Sequence, residues 1–227
     1  SNGAGKSTLA RVLSGLESPG RGRVRRRPRR SRVMLIMQRP EEHFVERTVR
    51  EEIQGYSRRG ATPADVDAAL GMAGLEAALA DSPPRTLSNG QQRIVAIACG
   101  LATRPDLLLL DEPMAGLDAV AREHVMQSLR VLSQARQLAI CVISHHPDDL
   151  LGWAQRLWVL AAGRLLYDGE FRRVPVAVLD HCMDATASSL FYALRSIEGA
   201  GYTLNPSVYD RLPPAEVARY LDEAVTS

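Results

Sequence analysis

An α/β fold is what the sequence predicts: a mainly parallel sheet flanked by helices, opening on a glycine-rich loop and interrupted by a helical insertion. Three observations carry this. Gly3-Ala4-Gly5-Lys6-Ser7-Thr8 runs straight into the helical spacing of Leu9, Val12, Leu13 and Leu16. From Leu107 onward, apolar runs of strand length alternate with an amphipathic stretch, the order that lays parallel strands under helices. Between these, over about 39–104, helix signals replace strand signals.

The loop comes first. Of the 28 Lys and Arg residues only Lys6 is a lysine, and it stands in Asn2-Gly3-Ala4-Gly5-Lys6-Ser7-Thr8. Glycines there let successive backbone N–H groups close round an oxyanion, and the helix N-terminus adds partial positive charge. Lys6 would then reach the β/γ-phosphates of ATP, and the Ser7 hydroxyl would ligate Mg²⁺. A bland glycine-rich turn leaves Lys-Ser-Thr without a reason. The full motif opens on one more glycine, which on this reading lies before Ser1 together with the strand that feeds the loop. The chain as it stands is therefore expected to lack that N-terminal strand, and to have low stability or low affinity for ATP.

The remaining elements follow in order. Pro19-Gly20-Arg21-Gly22 is a turn, and Arg23–Arg27 and Arg32–Met37 read as two strands around a break at Pro28. Eight arginines lie between Arg21 and Arg32. Such a run could grip lipid headgroups or nucleic acid, but without interleaved aromatics it reads as a solvated hairpin. Thr48-x-x-Glu51 is a capping box, Thr62-Pro63 an N-cap followed by proline at N1, and Ile94, Ile97, Ala98 and Leu101 recur at helical spacing. Then come strand Leu107–Leu110, helix Ala119–Arg136, strand Leu138–Ile143, short helix Pro147–Leu151, and strands Leu157–Leu160 and Leu165–Tyr167 about Gly163. Beyond Glu170, Leu190/Phe191/Leu194/Ile197 and Val217/Tyr220/Leu221/Ala224 give two amphipathic helical patterns joined by Gly201–Pro214. They define a C-terminal helical extension over 171–227, after a domain spanning 1–170.

Composition bounds the class. With 227 residues, 45% hydrophobic and 24% charged, the chain can bury a real core. A formal charge of +2 is too small to argue for nucleic acid. Cys99, Cys141 and Cys182 are odd in number and widely spaced, which argues against a disulfide framework or zinc site and for a reducing compartment. His181-Cys182 has no second ligand pair nearby and reads as structural. No apolar run reaches the ~18 residues of a membrane span.

Two further segments carry chemistry. Leu107-Leu108-Leu109-Leu110-Asp111-Glu112-Pro113 sets two carboxylates at the carboxyl end of a buried strand, where ligands of open α/β sheets bind. Asp111 is the expected Mg²⁺ partner, directly or one ligand removed, and Glu112 the candidate base that polarises an attacking water. Taken alone, two acids ending a strand can equally well just reach solvent. Leu87-Ser88-Asn89-Gly90-Gln91-Gln92 opens the helix that runs to Ala102, and a serine and glycine there form a second anion cradle. One phosphate loop has no use for it.

These motifs together resemble the ATPase subunits of ABC transporters. The phosphate loop spans Gly3–Thr8, the Q-loop glutamine is Gln38, the signature is Leu87–Gln91, and the Walker B strand is Leu107–Asp111 with Glu112. The D-loop is Ala115-Gly116-Leu117-Asp118, and the switch histidine lies within Ser144-His145-His146. His145 fits the switch position better, following the strand by one small residue. The likeness covers Ser1 to about Glu170. It implies that the cradle of one subunit, with Ser88, Asn89, Gly90 and Gln91, closes over the γ-phosphate held by the phosphate loop of another. It also implies Gln38 as a nucleotide and Mg²⁺ contact, Asp118 at the subunit contact, and His145 as a γ-phosphate partner. Asn89 replaces the commoner glycine and leaves the tightness of that contact open; Met114 departs from the usual threonine.

Gln38-Arg39-Pro40-Glu41 followed by Thr48-Val49-Arg50-Glu51-Glu52-Ile53, with Ala-Gly-Leu-Asp at the D-loop, is most similar to the energy-coupling-factor and cobalt/nickel importer ATPases. Gly201-Tyr202-x-Leu204-x-Pro206 resembles that group's C-terminal segment. The resemblance implies a second ATPase copy or paralogue, an integral membrane coupling protein, a substrate-capture membrane protein, and a peripheral place on the cytoplasmic face of the cell membrane. It implies no nucleic-acid partner. The alternatives are an ATPase of another ABC transporter class, a soluble ABC protein acting on nucleic acid or ribosomes, and a non-hydrolysing nucleotide-binding module.

Overall fold

A computed structural model describes residues 5–26, 31–57, 62–134, 138–144, 154–161, 163–170, 173 and 190–194. In chain order its main elements are α1 (Lys6–Ser14), β1 (Val33–Ile36), α2 (Val49–Tyr56), α3 (Pro63–Ala73), α4 (Asn89–Ala102), β2 (Leu107–Asp111), α5 (Ala119–Ser133), β3 (Ala139–Ser144), β4 (Arg156–Ala161), β5 (Arg164–Glu170) and β6 (Leu190–Leu194). Short 3-10 turns occupy Pro40–His43, Ala77–Leu79 and Pro84–Thr86. The chain divides into two compact units, Arg32–Ile140 and Ser1–Ser31 with Cys141–Ser227.

Within Arg32–Ile140, β1 and β2 pair in parallel, Val33 opposite Leu107 through Ile36 opposite Leu110. The register is pinned at its start, where the Arg32 carbonyl accepts from the N–H of Asp106 (2.8 Å) and of Leu107 (3.1 Å). The Asp106 carboxylate accepts in return from the Arg32 N–H at 2.6 Å. All five residues of β2 are buried, as expected of a continuous apolar run in a parallel pair.

The helices of this unit start where the sequence says. Thr48 closes the predicted capping box with Glu51, each bond 3.2 Å, and Val49 and Ile53 lie buried one turn apart. Thr62 caps α3 likewise, with Asp65 completing the box and Pro63 at N1. Val66, Ala69, Leu70 and Ala73 face inward at the spacing of one helix stripe. Gly74, at φ +79°, ends the helix in the left-handed conformation. Residues Gln92 through Leu101 of α4 are all buried, so this helix is covered on every side by α2, α3, α5 and β1. Each fully buried isoleucine there, Ile94 and Ile97, contributes about 1.5–3 kcal/mol.

Cys99 sits on the same helix, with burial first and the Glu52 carboxylate second pushing its thiol well above its ordinary range. Glu52 itself is buried, and one of its oxygens accepts from the N–H of Val45 and of Glu46, both at 2.9 Å. A carboxylate used this way ties down the loop ahead of α2, one oxygen holding two successive backbone donors.

In the other unit, Gly15 at φ +85° closes α1, its N–H reaching the Arg11 and Val12 carbonyls. β4 and β5 form an antiparallel hairpin with an irregularity between Val159 and Leu160, turning near Gly163 at φ +76°. Asp168 fastens the hairpin by accepting from Arg156 Nε (2.6 Å) and Nη2 (2.9 Å) and from Trp158 Nε1 (2.6 Å). β6 lies antiparallel to both β3 and β4, Val142 opposite Ala193 and Trp158 opposite Tyr192.

Two expectations are corrected. Arg23–Arg26 forms no strand: a segment that is nearly all arginine has no apolar face to bury, and these residues stay exposed or half-buried. Leu190–Leu194 is a strand where the spacing predicted a helix. Its Leu-Phe-Tyr-Ala-Leu run is too short for periodicity to separate the two, and its aromatics favour a strand with two partners. The short helix at Pro147–Leu151 and the pattern from Val217 lie outside the described residues.

Candidate functional site

Gly5 takes φ +86° and acts as the N-cap of α1, its carbonyl receiving the Leu9 N–H at 2.8 Å. Glycine is the residue that reaches this left-handed conformation without cost. No side chain caps the terminus and no acid stands in its first turn, so the positive end of the helix is presented through Lys6, Ser7 and Thr8. That is a ready anion site. Asn2, Gly3 and Ala4 lie outside the described residues.

The end of β2 supplies the acids. Asp111 and Glu112 are 8% and 7% exposed, so both predicted carboxylates are buried rather than simply reaching solvent. Glu112 has φ +51°, a left-handed backbone that costs a non-glycine residue about 1–2 kcal/mol. Its carbonyl accepts the Ala115 N–H at 3.1 Å, Gly116 turns at φ +75°, and Asp118 ends the loop as N-cap of α5, accepting from the Ala121 N–H at 2.8 Å. The strand thus delivers Glu112 into a tight turn whose far end is capped by the predicted D-loop aspartate.

Ser88 opens α4 with a capping box of its own. Its Oγ accepts from the Gln91 N–H (3.3 Å), and Gln91 Oε1 accepts from the Ser88 N–H (3.0 Å). A hydroxyl that accepts at its oxygen still has its O–H to donate, so Ser88 can cap its helix and address an external oxyanion together. The Gln91 side-chain oxygen is thereby engaged with the terminus of its own helix. Asn89 is exposed and Gly90 buried.

Gln38 is exposed two residues beyond β1. Its carbonyl accepts from Arg93 Nη1, while Arg93 Nη2 donates to the Ala115 carbonyl at 3.5 Å. Arg93 is the residue that the sequence reading passed over. It is a lone cation in the most deeply buried helix, and its meaning shows only once both faces of α4 prove buried.

Of the predicted set, Gln38, Ser88, Asn89, Gly90, Gln91, Asp111, Glu112 and Asp118 belong to the unit Arg32–Ile140, and Gly5, Lys6, Ser7 and Thr8 to the other. His145 lies outside the described residues.

A glycine-capped helix that opens Lys-Ser-Thr on an α/β framework, and paired acids ending a buried strand, are the marks of a P-loop nucleoside triphosphatase. The ABC transporter family profile matches residues 1–115. Energy-coupling factor transporter ATP-binding protein EcfA2 of Clostridium perfringens is 30% identical over 227 positions, covering 91% of this chain and 79% of that one. The solved structure of cbiO1 from Clostridium perfringens, part of the ABC transporter complex cbiONQ, is similar at 28% identity with a TM-score of 0.64, over 75% of this chain and 74% of that one. A dimeric ATP-binding cassette in a post-hydrolysis state, bound to ADP and Pi, is similar at 25% identity with a TM-score of 0.60, over 75% and 82%. The chain belongs to the ABC transporter family, among its ATP-hydrolysing subunits.

Proposed function

We propose that this chain hydrolyses ATP to drive an importer of the energy-coupling-factor type, for a vitamin or a transition metal, as one half of an ATPase pair. The observation that carries the reading is the glycine-capped terminus of α1, presented through the chain's single lysine. The likeness to EcfA2 and to cbiO1 of the cbiONQ complex supports the importer type. The domain over 1–170 is the working part.

In this reading Asn2 to Thr8 wrap the phosphates of ATP and Lys6 neutralises the β/γ end. Ser7, Gln38 and Asp111 each offer an oxygen, the donor type that Mg²⁺ takes, and they would hold it; when bound it supplies charge that steadies the departing phosphate. Glu112 takes a proton from the attacking water, and His145 hydrogen-bonds the γ-phosphate, with the rate gained by positioning and electrostatics. Ser88 and Gly90 meet the nucleotide of the other subunit, a second copy or a paralogue. No described helix is long and apolar enough to cross a membrane. The same reading puts the chain peripherally at the cytoplasmic face, on integral coupling and substrate-capture proteins, as the likeness to EcfA2 and cbiO1 supports.

The test is Glu112→Gln in the presence of ATP, Mg²⁺ and the co-expressed membrane components. It should accumulate an ATP-bound ATPase pair visible by light scattering, and His145→Ala should nearly abolish turnover. A Glu112→Gln protein that stays unpaired with nucleotide, or a His145→Ala protein with the parent rate, sinks the reading.

A further inference from the structure

Arg93 is a cation in the midst of an apolar helix, its side chain 9% exposed and flanked by the fully buried Ile94. Burial is the largest influence on its guanidinium and draws it below the usual arginine range; Glu41 opposes this and Arg39 adds to it. Burying such a group is costly, so its partners should account for it. Nη1 donates to the Gln38 carbonyl and stands 3.6 Å from Glu41 Oε2, while Nη2 reaches the Ala115 carbonyl at 3.5 Å.

Those carbonyls belong to two loops of one kind. β1 and β2 are parallel and in register, so the segment after Ile36, with Gln38, and the segment after Asp111, with Ala115, leave the same end of the pair. Arg93 lies one turn beyond the Ser88 capping box on α4. The same helix packs Gly90 against Ala121 on α5, immediately beyond the Asp118 cap. One planar fork therefore spans both loops from a helix that also carries the serine turn. A lysine could answer Glu41 with a point charge but has no fork to hold two carbonyls at a fixed separation.

We propose that Arg93 is a positioning residue of this ATPase: it locks Gln38 and the 112–118 turn to each other and to the Ser88 turn. The proposal rests on the ATPase reading above and deepens it. Gln38 and Glu112 then move as one with the serine turn when two subunits meet.

The experiment compares Arg93→Lys and Arg93→Met in the full chain. Amide exchange is measured without nucleotide, and steady-state hydrolysis with the membrane components. Arg93→Lys should melt close to the parent and exchange faster at 38–41 and 113–118, with α3 unaffected. It should lose roughly tenfold to a hundredfold in kcat while KM for ATP stays within about twofold. Arg93→Met should lose at least as much, and if it does not fold, the lysine variant decides. Unchanged exchange at both loops in Arg93→Lys, or parent kcat, overturns the proposal. So does a loss carried wholly by KM. A parent protein that binds no ATP overturns the ATPase reading instead, and the nucleotide-free exchange still judges the fork.

Discussion

A Cβ placed on Gly90 would lie 2.9 Å from the Cβ of Ala121, so the serine turn of α4 and the first turn of α5 meet with room for hydrogen alone. The usual reason for a glycine in such a turn is close approach of phosphate, but here the neighbouring helix already demands it. Gly90→Ala should destabilise the chain by about 1–3 kcal/mol through overpacking, and Ala121→Gly added to it should restore most of the loss. Urea unfolding of both variants checks this, and ATP turnover of the double variant separates packing from nucleotide approach. A double variant as unstable as Gly90→Ala would refute the contact.

Gln91→Glu keeps the capping box in its Ser-x-x-Glu form and adds a charge favourable to the helix terminus by roughly 0.3–1 kcal/mol. The same charge sits beside the turn proposed to receive phosphate. The expected result is equal or higher thermal stability with ATP-driven pairing weakened at least roughly tenfold, a loss of about 1.4 kcal/mol. Light scattering against ATP concentration measures it.

Glu112 combines a left-handed backbone with the proposed base. Glu112→Gly should relieve about 1 kcal/mol of strain while removing the carboxylate, so that stability holds or rises as hydrolysis falls by roughly a hundredfold or more. Glu112→Gln keeps the strain and loses the activity alone. Paired melting and turnover measurements on the two variants distinguish backbone from side chain.

Glu52 binds two backbone donors through one buried oxygen. Glu52→Ala should cost about 2–3 kcal/mol, the value of two orphaned amides partly rescued by water, and Glu52→Gln less, because its carbonyl oxygen still accepts. Urea midpoints for the two variants give the difference.

Asp65 gives a pH signature. Hydrogen bonds from the Thr62 hydroxyl, then the Thr62 N–H, then Arg104 hold its carboxyl below the usual aspartate range. A carboxyl depressed on folding adds stability above its unfolded value, about pH 4, and that stability is lost as pH falls through the folded value. Asp65→Asn should therefore lower stability at neutral pH and flatten its fall on the acid side. Unfolding midpoints from pH 6 to 2 read both.

What was legible in the sequence was local. Thr48 and Thr62 announce their helices through hydroxyls that need no distant partner, and the Leu107–Asp111 run declares a buried strand by length and composition. Gly5 and the acids at 111 and 112 could be placed because their chemistry is written in contiguous residues. The strand expected at Arg23–Arg27 fails on local grounds, for want of an apolar face, while the other two misses depended on partners far along the chain. Leu190–Leu194 takes its form from β3 and β4, some 30 to 50 residues away, and no window around it contains that information. Arg93 drew no reading from the sequence because its meaning lies in two carbonyls, at Gln38 and Ala115, that only folding brings to it.

Cys99 carries a last consequence. Its sulfur is sealed within α4 and kept protonated, so thiol reagents find nothing to attack while the helix stays seated. Labelling at that atom would then proceed at the pace at which α4 comes away from its neighbours, giving a clock for the helix that bears the serine turn. ATP should slow that clock if nucleotide steadies α4, and leave it untouched if the helix opens independently of the nucleotide.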